Sequence, residues 1–395
     1  MIFGLTILDI VLLLILLSYL VSGLRKGFVV TLGGIIGIVA GAVAAFFAIP
    51  LVSQWVPDSG WRLTAAIAVA VLLVVLGHAL GSGIGAGIRR RMDFPPLRPV
   101  DRVLGGAMNL AVTALVISML AFSLGTMGVP FISQQIAGSK VIAAIEHLTP
   151  NPVKAWAAQV RSAVVADGIP LVLDPQAPRK PAPIPDTSTD TPALNEASAS
   201  VLRIAGTAFQ CGQNQTGSGF AVAPNRVMTN AHVVAGVNEP VVEIPDGRVL
   251  PGRVVYFDAV RDLAVLAVDD LNVRPLPLGG ELSEGDFAAF QGYPAGGPFQ
   301  SNPATVQGRS QVLVQNIYGA DPSSLQVYTL AADVKQGNSG GPLLDVDGNV
   351  AGVVFAKSTQ NVPVGYALTL EEVKPVVDAA SGYQETISAG QCVTR

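Results

Sequence analysis

Ser339 sits in the run Asp333-Val334-Lys335-Gln336-Gly337-Asn338-Ser339-Gly340-Gly341-Pro342-Leu343, a hydroxyl on a turn built from glycine. Glycine at 337 lets the backbone turn sharply. A turn through Gly337, Asn338 and Ser339 can then aim backbone N–H groups, those of Gly337 and Ser339 above all, at one spot where the oxyanion of a tetrahedral intermediate would form. Gly340 and Gly341 leave room beside the hydroxyl for a substrate backbone. A serine hydroxyl is a poor nucleophile until a base within hydrogen-bond reach takes its proton, and that base needs a carboxylate to orient it. The run therefore demands a histidine and an acid elsewhere in the chain.

Thr229-Asn230-Ala231-His232-Val233-Val234 holds the only histidine beyond residue 147, so a catalytic imidazole in this half must be His232. Between it and Ser339, Asp262 opens the apolar, strand-like run Leu263–Val268. The order His232, Asp262, Ser339 is the order found in chymotrypsin and differs from those of subtilisin and the α/β-hydrolases. With Gly217-Ser218-Gly219-Phe220 added, these segments resemble the trypsin-like serine proteases, in particular the HtrA branch, over roughly residues 200–380. The resemblance implies an all-β fold of two six-stranded barrels, His232 and Asp262 coming from the first and Ser339 from the second. It implies cleavage of protein or peptide substrates with no cofactor and no metal. HtrA proteins continue into a PDZ domain, for which the 56 residues after Ser339 leave no room. Asp333 stands six positions before Ser339, the offset of the pocket-floor aspartate in trypsin-like enzymes, although the loop differs in length here.

The strand pattern agrees with that fold class. From Val201 onward, short apolar segments alternate with turns: Gly219–Ala223, Val241–Ile244, Val249–Val255, Leu263–Val268, Phe287–Gln291, Val312–Val314, Val327–Leu330, Val350–Phe355 and Gly365–Ala367. Asp246-Gly247 and Asp347-Gly348 fall between such segments and signal tight hairpins. A helix over Glu371–Ala380 closes the domain.

The first half has another solvent. Half of the 395 residues are hydrophobic and 13% are charged, well under the usual quarter for soluble chains. Four apolar runs, Ile2–Leu24, Phe28–Val52, Leu63–Ile88 and Val103–Leu124, each reach the ~20 residues that cross a bilayer core. The first lacks the basic start and small-residue cleavage site of a signal peptide. Arg25 and Lys26 lie between the first two runs, and Arg89, Arg90, Arg91, Arg98 and Arg102 between the last two. Positive charge marks the cytoplasmic side, so both termini are expected outside, with Trp55 and Trp61 at the outer interface. Gly33, Gly37 and Gly41, facing Gly77, Gly81 and Gly85, form ridges that let two helices approach closely. These ridges and the Leu24-Arg25-Lys26-Gly27-Phe28 junction resemble the colicin V production (CvpA-like) membrane domain. Asp9, His78 and Asn109 are polar groups inside these runs, His78 reading equally as a functional group or a helix-to-helix hydrogen bond.

The expected organisation is a four-helix membrane domain (1–126), amphipathic helices with Val141, Ile142, Ile145 and Leu148 at helical spacing (127–173), an exposed proline-rich linker (174–200) and the catalytic domain (201–395). Arg179 and Lys180 make the linker a candidate for self-cleavage. A net charge of −4 leaves no basic footprint for nucleic acid. The only two cysteines, Cys211 and Cys392, would share an oxidising compartment and form one disulfide. Taken together, the anchor, linker and PDZ-less domain resemble the actinobacterial periplasmic proteases linked to acid resistance. That implies an endopeptidase of the cell envelope, its partners being envelope proteins and the lipid bilayer. The rival readings are a scaffold whose β-domain binds peptides uncut, and a channel-like membrane half regulated by the protease.

Overall fold

The computed structural model describes residues 6–55, 59–91, 98–125, 132, 135–136, 138–150, 152–153, 171–172, 182–208, 210, 213–358 and 363–393. The chain divides into two compact units, Met1–Met119 and Leu120–Arg395.

In the first unit α1 (Ile7–Lys26), α2 (Phe28–Trp55), α3 (Ser59–Arg91) and α4 (Arg98–Gly125) are each long and apolar enough to cross a membrane. The glycine ridges meet as expected. A methyl group on Gly37 would strike Gly77 O, one on Gly81 would strike Gly33 O, and one on Gly41 would come 2.5 Å from Leu73 O. Backbones this close leave no space for a Cβ and gain dispersion contacts instead. The three polar groups singled out in the runs, Asp9, Asn109 and His78, each have a partner. Asp9 forms a capping box with Thr6 at the start of α1, Asn109 donates to Tyr19 O at 2.7 Å, and His78 Nδ1 lies 3.3 Å from Gly34 O across the α2–α3 seam. The basic junction is built as well: Asp101 accepts Val29 N–H at 3.2 Å and pairs with Arg89 at 3.0 Å, while Arg89 donates to Lys26 O.

The second unit opens with α5 (Lys140–Leu148), capped by Ser139, with Val141, Ile142 and Ile145 buried and Leu148 exposed. Two seven-stranded sheets follow. The first runs β6 (Val249–Pro251), β5 (Val241–Glu243), β2 (Val201–Ala208), β3 (Gln213–Ala223), β4 (Arg226–Thr229), β8 (Leu263–Ala267), β7 (Arg253–Asp258). The second runs β1 (Leu171–Val172), β13 (Val350–Ser358), β12 (Pro342–Leu344), β9 (Phe287–Gly292), β10 (Gln300–Val314), β11 (Ser323–Ala331), β14 (Val364–Thr369), and β13 also pairs with β14 to close it. Seven strands replace the expected six for two local reasons. The run Val249–Val255 breaks at Gly252, whose N–H turns to Pro240 O, and β1 adds itself to β13 in parallel. Both Asp-Gly pairs turn hairpins as read, with Gly247 at φ 87° and Gly348 at φ 78°, and α8 (Leu370–Ala379) is the expected closing helix.

The proline-rich segment is mostly exposed over residues 182–190, as expected of a linker, but departs from that expectation from Thr191 on. Thr191 caps α6 (Pro192–Ser198), with proline in its first turn, and Leu194 and Ala197 are buried in the domain core beside Leu276, Leu344 and Val350. Upstream, Ala182 N–H donates to Gln307 and the Thr189 hydroxyl to Ser301 O. Burying one leucine contributes about 1.5–3 kcal/mol, which ties α6 to the core of the β-unit. Arg179 and Lys180 lie outside the described residues.

Candidate active site

Three elements carry the three candidate residues. β4 ends at Thr229 and Asn230 starts the single-turn helix α7 (Ala231–Val234), which holds His232. Asp262 sits in the turn from β7 to β8 at φ 56°, a left-handed conformation that aspartate tolerates better than most residues. Asn230 ties the two together by donating its side-chain N–H to Asp262 O at 2.7 Å. The Asp262 carboxylate then grips His232 twice: Oδ1 accepts the His232 backbone N–H at 2.8 Å and Oδ2 lies 2.6 Å from Nδ1. Position and ring orientation are both fixed, and both residues are buried.

Ser339 lies on the turn between β11 and β12. The turn is closed by Asn338 N–H to Lys335 O at 3.0 Å and Gly341 N–H to Asn338 O at 2.9 Å, and is pinned to the first sheet by Ser218 N–H to Ser339 O at 2.8 Å. Gly340, at φ 82°, passes so close to Ser218 O and Thr229 Oγ1 that no side chain fits, and its Cβ position lies 2.9 Å from Asn230 N. The serine turn is thus seated against the start of the histidine helix. Ser339 Oγ is buried and forms no hydrogen bond among the described residues, so its bond to the imidazole is not made in this state. Catalytic hydrogen bonds are often long without substrate and tighten when it binds.

Gly337 stands at φ 91°. The N–H groups of Gly337 and Ser339 have no acceptor among the described residues, whereas that of Asn338 is held by Lys335 O. Asn338 therefore leaves the expected set of oxyanion donors. Its side chain braces the turn instead, Oδ1 accepting Lys335 N–H at 2.9 Å.

Residues 217–353 match the family model of the trypsin-like peptidase domain and residues 8–150 that of the colicin V production protein. The serine protease Rv3671c of Mycobacterium tuberculosis is 34% identical over 393 residues, 98% of each chain. The chain belongs to this family of serine proteases. The crystal structure of Rv3671c protease in its active form matches with a TM-score of 0.53 and 37% identity, over 56% of this chain and all of that one. A probable periplasmic DegP-like serine endoprotease of Halomonas elongata is 34% identical over 170 residues, 41% of this chain and 34% of its own length. The β-unit is accordingly a chymotrypsin-like serine endopeptidase preceded by membrane-type helices.

Other candidates of this protease fall elsewhere. Asp333 is exposed and pairs with Lys335 at 3.1 Å. Its neighbour Val334 is the one that turns inward, against Gly365 and into the cluster with Phe290, Tyr328 and Leu343. Cys392 is disulfide-bonded, while Cys211 lies outside the described residues. The tail on both sides of Cys392 packs on the first sheet: Ala389 and Val393 share a cluster with Ala231, Val233 and Val234. Sequence reading missed Ser218, Arg203 and Tyr293, which surround the serine turn. Tyr293 is buried, which with the nearby Glu243 charge pushes its hydroxyl up to about 12. The signal for Ser218 was its place in Gly217-Ser218-Gly219; for the other two there was none.

Proposed function

We propose that Ser339, His232 and Asp262 form the catalytic triad of a membrane-anchored endopeptidase that works on the extracytoplasmic side. Ser339 Oγ attacks the peptide carbonyl as His232 Nε2 takes its proton. The tetrahedral oxyanion receives the Gly337 and Ser339 N–H groups, and His232 then protonates the leaving amine. Water, deprotonated by the same imidazole, hydrolyses the acyl-enzyme. Asp262 holds the ring in the tautomer that leaves Nε2 free to accept. The observation that carries this reading is the double grip of Asp262 on His232, at 2.8 and 2.6 Å. A second observation supports peptide binding. β12 pairs with β13 only from Pro342, opposite Val353, and the β13 edge beyond that point, at Lys357 and Ser358, pairs with an extended segment, Leu171–Val172. Strand addition at such an edge gives backbone affinity without sequence demands.

The test is labelling of the full chain by a fluorophosphonate together with casein cleavage, both of which Ser339→Ala should abolish. Labelling that persists in Ser339→Ala removes the assignment. The orientation rests on the basic residues at the α1–α2 and α3–α4 ends, and reporter fusions that put residue 201 onward in the cytoplasm would overturn it. Self-cleavage between 174 and 181 is the proposal for Arg179 and Lys180, where tethering raises effective concentration towards the millimolar range. N-terminal sequencing of a fragment released by wild type but not by Ser339→Ala checks it. A role in envelope stress or acid resistance follows the resemblance, and survival at acidic pH of cells carrying Ser339→Ala tests it.

A further inference from the structure

In a planar trans peptide the C=O and the following N–H point in opposite directions, so whatever holds a carbonyl also aims the next N–H. Three successive carbonyls of the serine turn are each held, the first two from outside the turn and the third from within it. Gln336 O accepts Ala295 N–H, Gly337 O accepts the Ser218 hydroxyl at 2.6 Å, and Asn338 O accepts Gly341 N–H. The result is an alternation: the N–H groups of Gly337 and Ser339 stay free while that of Asn338 is turned to Lys335 O.

The donor that sets Gln336, and through it the Gly337 N–H, stands on the short turn Pro294–Gly296, where Ala295 adopts φ 53°. That turn has two anchors from the first sheet. Tyr293 N–H donates to Ser218 Oγ at 2.9 Å, and Arg203 donates to Gly296 O at 2.8 Å while its other nitrogen pairs with Glu243. These anchors form one cross-strand row, since Arg203 faces Ser218 in the β2–β3 register and Glu243 in the β2–β5 register. Directly opposed residues project from the same face. The row Glu243, Arg203, Ser218 therefore reaches from the first sheet to both sides of the oxyanion peptide in the second.

We propose that Arg203 and Ser218 are positioning residues for the oxyanion hole: Ser218, by holding Gly337 O, keeps the intervening Asn338 N–H turned away to Lys335 O, and Arg203, through the Tyr293–Gly296 turn, supports the Ala295 N–H that holds Gln336 O and so aims the Gly337 N–H. This rests on the triad reading above, with the Gly337 and Ser339 N–H groups as donors. Arg203 touches no reacting atom; its work is to keep Gln336 O turned away from the oxyanion position.

The test uses the full chain in detergent with Arg203→Met, Arg203→Lys, Ser218→Ala and Glu243→Gln. Fluorophosphonate titration counts competent sites, and a peptide aldehyde, whose adduct oxygen takes the oxyanion position, is compared with the same peptide as an amide. Complete loss of one oxyanion donor costs about 10²–10³ in kcat, so misaiming should cost on the order of 10 to 10² per titrated site. We expect that loss in Arg203→Met and Ser218→Ala, with KM nearly unchanged, aldehyde affinity down by a similar factor and amide affinity retained. Arg203→Lys, still able to donate to Gly296 O, should recover most of the rate, and Glu243→Gln should stay near wild type. Unchanged kcat and aldehyde affinity per titrated site, with only a lower melting temperature, would overturn the proposal, as would Arg203→Lys behaving like Arg203→Met. If Ser339→Ala keeps full activity, the triad reading fails instead.

Discussion

Replacing Cys392 with serine should destabilise the β-unit and disable its histidine helix. Cys392 is disulfide-bonded, and Cys211 is the only other cysteine in the chain; a bridge between them encloses about 180 residues. Closing a loop of that length removes unfolded-state entropy equivalent to roughly 5 kcal/mol in the chain-entropy model. For a unit of about 200 residues each kcal/mol shifts Tm by about 2–4 °C, giving a loss of roughly 10–20 °C as an upper bound. The tail that carries Cys392 lies against the first sheet. Gly236 N–H donates to Ala389 O at 3.1 Å, and the Cβ position of Gly236 lies 2.9 Å from Cys392 Sγ, so no larger residue fits beside the sulfur. Gly236 follows α7 closely, and Ala389 and Val393 pack with Ala231, Val233 and Val234 on either side of His232. Releasing the tail should therefore loosen the element that positions the base, lowering the fraction of sites a fluorophosphonate can titrate. Calorimetry and titration of Cys392→Ser, and of wild type in reductant, read both effects. Intact mass showing two free thiols in the purified protein, or an unchanged Tm in Cys392→Ser, would refute the reasoning.

Because triad members act as a unit, Ser339→Ala, His232→Ala and the double variant should each lose on the order of 10⁴–10⁶ in kcat without the losses multiplying; a double variant far worse than either single one would break the unit apart. Asp333→Asn should change cleavage after arginine or lysine by less than about threefold, since an exposed, paired side chain contributes little; a large selective loss in a peptide-library assay would restore Asp333 to the specificity pocket. Burial opposes ionisation of Asp258, yet the N–H groups of Arg261 and Val260 and the Arg261 guanidinium hold its carboxyl below the ordinary 3.8. A depressed folded pKa gives stability that is present above the unfolded value and lost as pH falls through the folded one. Asp258→Asn should thus be less stable at neutral pH and show a flatter acid limb below about pH 4, the two curves converging under strong acid. Urea melts across that range check it.

The groups proposed to react could be picked out in the sequence while those proposed to aim them could not, for a physical reason. Ser339, His232 and Asp262 carry chemistry that only a few residue types supply, and each sits in a local turn whose flanks are themselves diagnostic. Hairpin glycines at 247 and 348 and the helix ridges at 33, 37, 77 and 81 are local in the same sense, because a missing Cβ is visible residue by residue. The misses need longer-range knowledge. β10 is a polar fifteen-residue strand, half-buried along most of its length, so only Val312–Val314 stood out. β2 and β4 are buried nearly throughout, and strands without alternation carry no period to read. α6 did leave a local signal, Thr191 before Pro192 with apolar residues at 194 and 197, but the prolines around it read as linker.

Arg203 illustrates the deeper limit. Its meaning depends on the register that sets it opposite both Ser218 and Glu243 and on a turn some ninety residues away whose carbonyl it holds. No spacing rule joins positions 203, 218, 243 and 296. The same dependence says where the enzyme is sensitive to change. A substitution at Ser339 removes chemistry wherever the backbone goes, whereas a one-residue slip of β2 against β3 would keep every catalytic side chain and put Arg203 on the opposite face. Gly296 O and Glu243 would then lose their shared partner, and the Gln336 carbonyl would be free to turn towards the oxyanion site. On the proposed reading, the triad alone therefore does not define the active state of this protease; the register of the first sheet does so together with it.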